Sequence, residues 1–158
     1  LLAQFRMRQQ DVPLVSAECI TLNSDWRSKE EVLKGMTDNL LLAGRCRYPR
    51  KLEADLWARE AVFSTGLGFS FAIPHSKSEH IEQSTISVAR LAQPVIWGDE
   101  EAQFVIMLTL NKHSAGDQHM RIFSRLARRI MHAEFRQSLV SAESSEDIAD
   151  LLRRELEL

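Results

Sequence analysis

Hydrophobic positions along the chain change period repeatedly, and each change marks an element. ECITL (18–22) reads as a short strand. SKEE (28–31) opens a helix with a capping box, Ser28 at the N-cap and Glu31 three residues later. That helix runs to about Ala43, where Gly44 stops it. A second helix spans about 50–63 with Leu52, Leu56 and Phe63 as its apolar stripe. Within STGLGFSFAIPHS (64–76) the period switches to two over 67–73. This places Phe69, Phe71 and Ile73 on one face of a strand and Ser70 and Ala72 on the other. Three further strands follow: TISVARL (85–91), PVIW (94–97), which turns at GDEE, and FVIMLTL (104–110). After the loop NKHSAG, Asp117 caps a long helix to about residue 136. SSED (144–147) caps a final helix with Ile148, Leu151, Leu152 and Leu156 at helical spacing. Buried strands between amphipathic helices predict one α/β domain, about five strands flanked by helices on both sheet faces.

Composition narrows the function classes. Hydrophobic residues make up 44% and charged residues 27%, as in an ordinary soluble globular protein long enough to bury its own core. The formal net charge of −2 supplies no general attraction to nucleic acid or anionic membrane. Apolar runs fall far short of a membrane span. Cys19 and Cys46 fit no metal-ligand spacing and build no disulfide framework, so a reduced cytoplasm is the simplest setting. LLAQFRMRQQ lacks the length and cleavage site of a secretory signal. The chain begins with Leu, not Met, which suggests a piece of a longer polypeptide. Residues 1–13 are then the tail of a linker and 14–158 the domain.

The candidate chemistry centres on His75, which leaves an apolar strand at its C-terminal end, where open α/β sheets place ligands. Pro74 fixes its own φ and restricts Ile73, so the imidazole stands on a stiff base. With an ordinary pKa of about 6.5, about three-quarters of such a ring is neutral and nucleophilic at pH 7. Its covalent adduct with a phosphoryl donor would be a phosphoramidate. Arg59 lies three residues after Leu56 and four before Phe63, on the apolar stripe, and so needs an anionic partner. Either Asp55, one turn earlier, neutralises it, or a ligand phosphate or carboxylate does. His119, on the first turn of the helix from Asp117, projects with Leu126 and Ile130 beside free backbone N–H groups that favour an anion. A structural histidine is the alternative. Arg59, Ser64, Thr65, His75 and His119 together form a phosphoryl-handling set.

The remaining features read as ordinary surface and core. The stripe Arg121, Arg125, Arg128, Arg129 and Arg136 is a solvated face without interleaved aromatic residues, so no nucleic-acid role is expected. His80 and His132 read as exposed, and Asp99, Glu100 and Glu101 as a solvated turn. Trp57 and Trp97 read as packing residues. His113 and His119 lack a third ligand, so neither a metal nor a cofactor is expected. Ser64 and Ser76 lack a nucleophile-elbow pattern. LLAGRCRYPRK between the first two helices matches no assignable pattern.

AREAVFSTGLGFSFAIPHS resembles the active-site segment of the enzyme IIA domains of the mannitol/fructose class of the bacterial phosphoenolpyruvate-dependent sugar phosphotransferase system. The likeness rests on Arg59-Glu60, Ser64-Thr65-Gly66, Gly68 and Ala72-Ile73-Pro74-His75, with PVIWG and DQHMRIFSRLAR as later blocks. Met120 and Ser76 depart from its commoner leucine and glycine. The resemblance covers about 16–157 and implies a mixed sheet flanked by helices. It implies that His75 accepts a phosphoryl group from phosphorylated HPr and passes it to a cysteine of a IIB domain, with Arg59 and His119 assisting. A regulatory IIA-like protein of the nitrogen-related type, acting through phosphorylation-dependent partner binding, stays open, as do the sugar and whether the domain is free-standing or part of a multidomain protein.

Overall fold

The computed structural model describes residues 12–114 and 116–158, with the side chains of 116–119 outside the description. The extension expected over 1–13 therefore lies, through residue 11, outside the described residues. Pro13 itself is tied down, because the Arg45 guanidinium donates to its carbonyl at 2.9 Å.

A 3-10 turn (Ala17–Cys19) leads into β1 (Ile20–Ser24), followed by helices α1 (Lys29–Leu42) and α2 (Pro49–Glu60). Three short strands come next: β2 (Gly66–Gly68), β3 (Phe71–Ala72) and β4 (His75–Ser78). The long strands β5 (Thr85–Trp97) and β6 (Glu100–Asn111) precede helices α3 (Gly116–Ile130), α4 (Ala133–Ser141) and α5 (Ser145–Leu156). The sheet order is β1-β5-β6-β3-β2, with β4 paired to β6 as well. β5 and β6 are antiparallel, whereas β3 and β4 both run parallel to β6, at Phe71↔Phe104 and His75↔Leu108. The sheet is thus mixed.

Alternation along β6 splits the core in two. Phe104, Ile106, Leu108 and Leu110 face Ile122, Leu126, Leu139 and Ile148 of α3–α5. Val105 and Met107 face Val32, Leu33, Leu52 and Leu56 of α1 and α2. No helix of the described residues is long and apolar enough to cross a membrane.

Local signals act as the sequence dictates at several ends. The Ser28 hydroxyl accepts from Glu31 N at 3.1 Å, while the Glu31 carboxylate takes Arg27 N at 2.6 Å. Ser144 caps α5 through Asp147 N at 3.1 Å. Pro49 opens α2, where a missing N–H costs nothing.

Other expectations are corrected. The strand over 67–73 is a hairpin instead. Phe69 and Ser70 take left-handed φ of 57° and 65°, so Phe69 leaves the row of Phe71 and Ile73 and lies exposed under the Arg136 guanidinium, 3.9 Å from its ring centroid. The second helix stops at Glu60, which leaves Phe63 exposed and not on the core stripe. The strands at 85–91 and 94–97 are one, with a register shift between Arg90 and Val95 that accommodates Pro94. The helix from Asp117 breaks after Ile130. In a continuous helix Leu139 would point about 180° from Ile130, yet both are buried in the same core. Arg136 closes the break by donating to the Ile130 carbonyl at 2.6 Å.

The unassigned segment between α1 and α2 has a structural purpose. Arg45 is buried, and besides Pro13 it donates to Thr85 Oγ1 and Ser16 Oγ, both at 3.2 Å.

Candidate active site

His75 opens β4; it does not leave the end of one long strand. Pro74, without an N–H, separates β3 from β4 along the same edge of β6, and its carbonyl accepts from Leu108 N at 2.9 Å. The His75 Nδ1 lies 2.9 Å from the Ile73 carbonyl. A carbonyl only accepts, so Nδ1 carries the proton and the neutral ring keeps its lone pair on Nε2. The Phe123 ring of α3 packs beside the imidazole, with centroids 4.6 Å apart and planes tilted by 54°. Burial pushes the His75 pKa below the ordinary histidine value, and the Arg59 guanidinium pushes the same way. The Ile73 carbonyl and the Glu60 carboxylate oppose them.

Arg59, second to last in α2, sits at the edge of the apolar stripe, half-buried, and donates to the Phe63 carbonyl at 3.2 Å. Among the described residues no carboxylate pairs with it. Asp55, the structural partner considered for it, instead accepts from Ser78 Oγ and from His80 Nδ1 at 2.9 Å. His80, expected to be exposed, is half-buried by that contact.

Ser64 is exposed; its hydroxyl donates to the Trp97 carbonyl at 3.4 Å and accepts from Gly66 N at 3.4 Å. Gly98 lies so close that a Cβ there would stand 2.6 Å from Ser64 Oγ. Thr65 is buried. Its hydroxyl donates to Glu60 Oε1 and accepts from the Trp97 indole at 3.0 Å, so its one proton is engaged. His119 falls in the first turn of α3, and its side chain lies outside the described residues.

Two charged residues beside this set were given no role from the sequence. Glu60 is 8% exposed and pairs with Lys29 Nζ at 2.7 Å. Its signal was present: Leu52, Leu56 and Glu60 follow one another at spacing four, so Glu60, more than Arg59, continues the buried stripe. Lys29, 31 positions away, carries no such signal. Its ammonium also lies 5.0 Å from the centroid of the buried Trp97 ring.

A ring nitrogen with a fixed tautomer and a free lone pair, with an arginine close enough to influence it, is an arrangement suited to handling a phosphoryl group. A family profile described as "Phosphoenolpyruvate-dependent sugar phosphotransferase system, EIIA 2" matches residues 13–155. The chain belongs to this family and is an EIIA component of that system. It is 87% identical over 158 residues to the Multiphosphoryl transfer protein 2 of Escherichia coli (strain K12), covering 100% of this chain and 19% of that relative's length. Among solved structures, the nitrogen regulatory protein IIA-Ntr of Neisseria meningitidis aligns with a TM-score of 0.79 at 24% identity, covering 92% of this chain and 99% of its own. Enzyme IIAMTL of Escherichia coli, solved in complex with phosphorylated enzyme IIBMTL, aligns with a TM-score of 0.72 at 21% identity, covering 88% and 96%. At those identities the two structures establish the fold.

Proposed function

We propose that His75 Nε2 is the phosphoryl acceptor in a relay from phosphorylated HPr to a cysteine of a IIB domain, in sugar uptake of the mannitol/fructose class. The observation that carries this is the Nδ1–H bond to the Ile73 carbonyl, which leaves the lone pair on Nε2. In the step, that lone pair forms the new N–P bond while the P–N bond of the donor histidine breaks and its electron pair returns to the donor ring. Nδ1 keeps its proton. Arg59 is free of carboxylate partners among the described residues and supplies a fork suited to the transferring oxygens. Ser64, exposed, offers a hydroxyl to the same oxygens, whereas Thr65 acts from beneath, through the loop it anchors. His119 receives an auxiliary role from the family resemblance alone.

The exposed apolar side chains Val62 and Phe63 just after α2, and Met120 in the first turn of α3, suit protein partners. The likeness to a multiphosphoryl transfer protein several times longer favours a carrier joined to other domains over a free-standing regulator. A cytoplasmic setting fits the two free, buried cysteines Cys19 and Cys46.

The test is incubation with phosphoenolpyruvate, the general kinase and HPr. One acid-labile phosphoryl group should appear on His75 and chase onto a IIB cysteine. Labelling of a His75→Ala chain to the wild-type extent overturns the proposal, and a label that never reaches IIB favours the regulatory reading.

A further inference from the structure

We propose that Glu60, locked by Lys29, is a positioning residue that fixes the tautomer and orientation of His75 through a continuous chain of hydrogen bonds; this rests on His75 being the acceptor. The chain starts at the Lys29 ammonium, which donates to Glu60 Oε2 at 2.7 Å. Thr65 N donates to the same oxygen at 3.2 Å and Thr65 Oγ1 donates to Oε1. The Thr65 carbonyl accepts from Ile73 N at 3.0 Å. The Ile73 carbonyl accepts the His75 Nδ1 proton at 2.9 Å. Each link therefore sets the next, from α1 through the end of α2 and the loop before β2 to the imidazole.

The chemistry of the links makes a carboxylate necessary at position 60. Oε2 receives two donors and Oε1 a third, so the group must be all acceptor. The site is almost dry, with the Glu60 and Lys29 side chains 3% and 14% exposed, so water cannot readily replace a lost partner. Trp97 closes the network from β5 by donating its indole N–H to Thr65 Oγ1. Glu60 is buried beneath the surface, whereas its neighbour Arg59 is half-buried and reaches it. On this reading one helix end supplies both the arginine proposed to meet the transferred group and the carboxylate that aims the nucleophile.

Glu60→Gln places an amide N–H₂ opposite donors that need an acceptor. Turnover in the HPr-driven labelling reaction should fall about tenfold, with the KM for phosphorylated HPr unchanged because Glu60 does not meet the donor. Ring ¹⁵N shifts should show the Nε2–H tautomer of His75 appearing at the expense of Nδ1–H, a change that mere destabilisation does not produce. A folded Glu60→Gln protein with turnover within about twofold of wild type and an unchanged tautomer overturns the inference. Should that variant fail to fold, Thr65→Val removes only the hydroxyl link and should show the same tautomer shift with about a threefold loss. An unchanged tautomer and rate in Thr65→Val then overturns the inference instead. Wild-type protein that takes no label on His75 defeats the acceptor assignment, whereas wild-type labelling with an unaffected Glu60→Gln protein defeats only the positioning chain.

Discussion

His75 and His80 lie five positions apart, and each donates Nδ1–H to an oxygen at 2.9 Å, yet their surroundings differ in kind. His75 donates to a backbone carbonyl, beside an arginine and an aromatic ring. His80 donates to the Asp55 carboxylate, with Glu79 also 3.8 Å from its Nε2. A carbonyl fixes the tautomer as well as a carboxylate does, but it does much less to stabilise the imidazolium, which has no lone pair to offer. The proposed attack on phosphorus needs an oriented, neutral imidazole, and the carbonyl partner of His75 orients its ring without supplying a negative charge. Arg59 and Asp55, one turn apart on α2, do not pair: Asp55 is taken by Ser78 and His80, and Arg59 donates to the Phe63 carbonyl.

The comparison breaks most easily at the acceptor itself. His75→Ala should abolish phosphoryl labelling, while His80→Ala should leave it near wild type, as read by mass spectrometry after incubation with the donor system. Exchange of these two outcomes would assign the wrong histidine. A smaller but still large effect is expected for Arg59→Ala. Removing one preorganised donor to the transferring oxygens should slow transfer by about 10²-fold, with Arg59→Lys recovering only part, in a folded protein by circular dichroism. His119→Ala should slow labelling by about tenfold without preventing it, and His119→Gln should restore part of the rate.

The pH dependence sharpens the contrast further. Because burial and Arg59 hold the His75 pKa below its ordinary value, the ring stays neutral to lower pH than a free histidine does. Labelling should therefore be level above about pH 6.5 and fall only as the pH drops through the lowered midpoint. The Arg59→Ala midpoint should lie somewhat higher, and an NMR titration that moves it down would contradict the assigned direction. The smallest effect belongs to the other histidine: Asp55→Asn should cost about 0.5–1 kcal/mol in urea unfolding and leave transfer unchanged.

Sequence signals were legible where a local rule has one outcome. Ser28 and Ser144 cap their helices, Gly44 ends α1, and Pro74 stiffens the approach to His75, all readable without partners. Phe69 defeated the period-two reading because its β propensity says nothing of a turn forced by its neighbours, and its exposed ring is covered by an arginine from α4. The break after Ile130 was hidden because Met131, His132 and Ala133 carry no breaker; only the shared core of Ile130 and Leu139 requires it. At the site, His75 and Arg59, the residues proposed as acceptor and phosphate-facing charge, were singled out from residue type and motif. The Lys29–Glu60 pair was not, because a buried ion pair between residues 31 apart is a property of packing. Glu60 at spacing four from Leu56 was the one hint, and it was masked by the more conspicuous arginine beside it.

The two-sided core has a consequence for quality control. His75 takes Phe123 from the layer packed on one face of the sheet, and feels Arg59 and Glu60 from the layer on the other. On the proposed reading of His75 as acceptor, neither layer alone assembles the site, so the domain would act as a coincidence detector for its own assembly. Any excursion that peels off α3 or lets α2 fray at its end should silence the nucleophile before the sheet melts. Chains caught half-folded would then draw no phosphoryl groups from the donor pool.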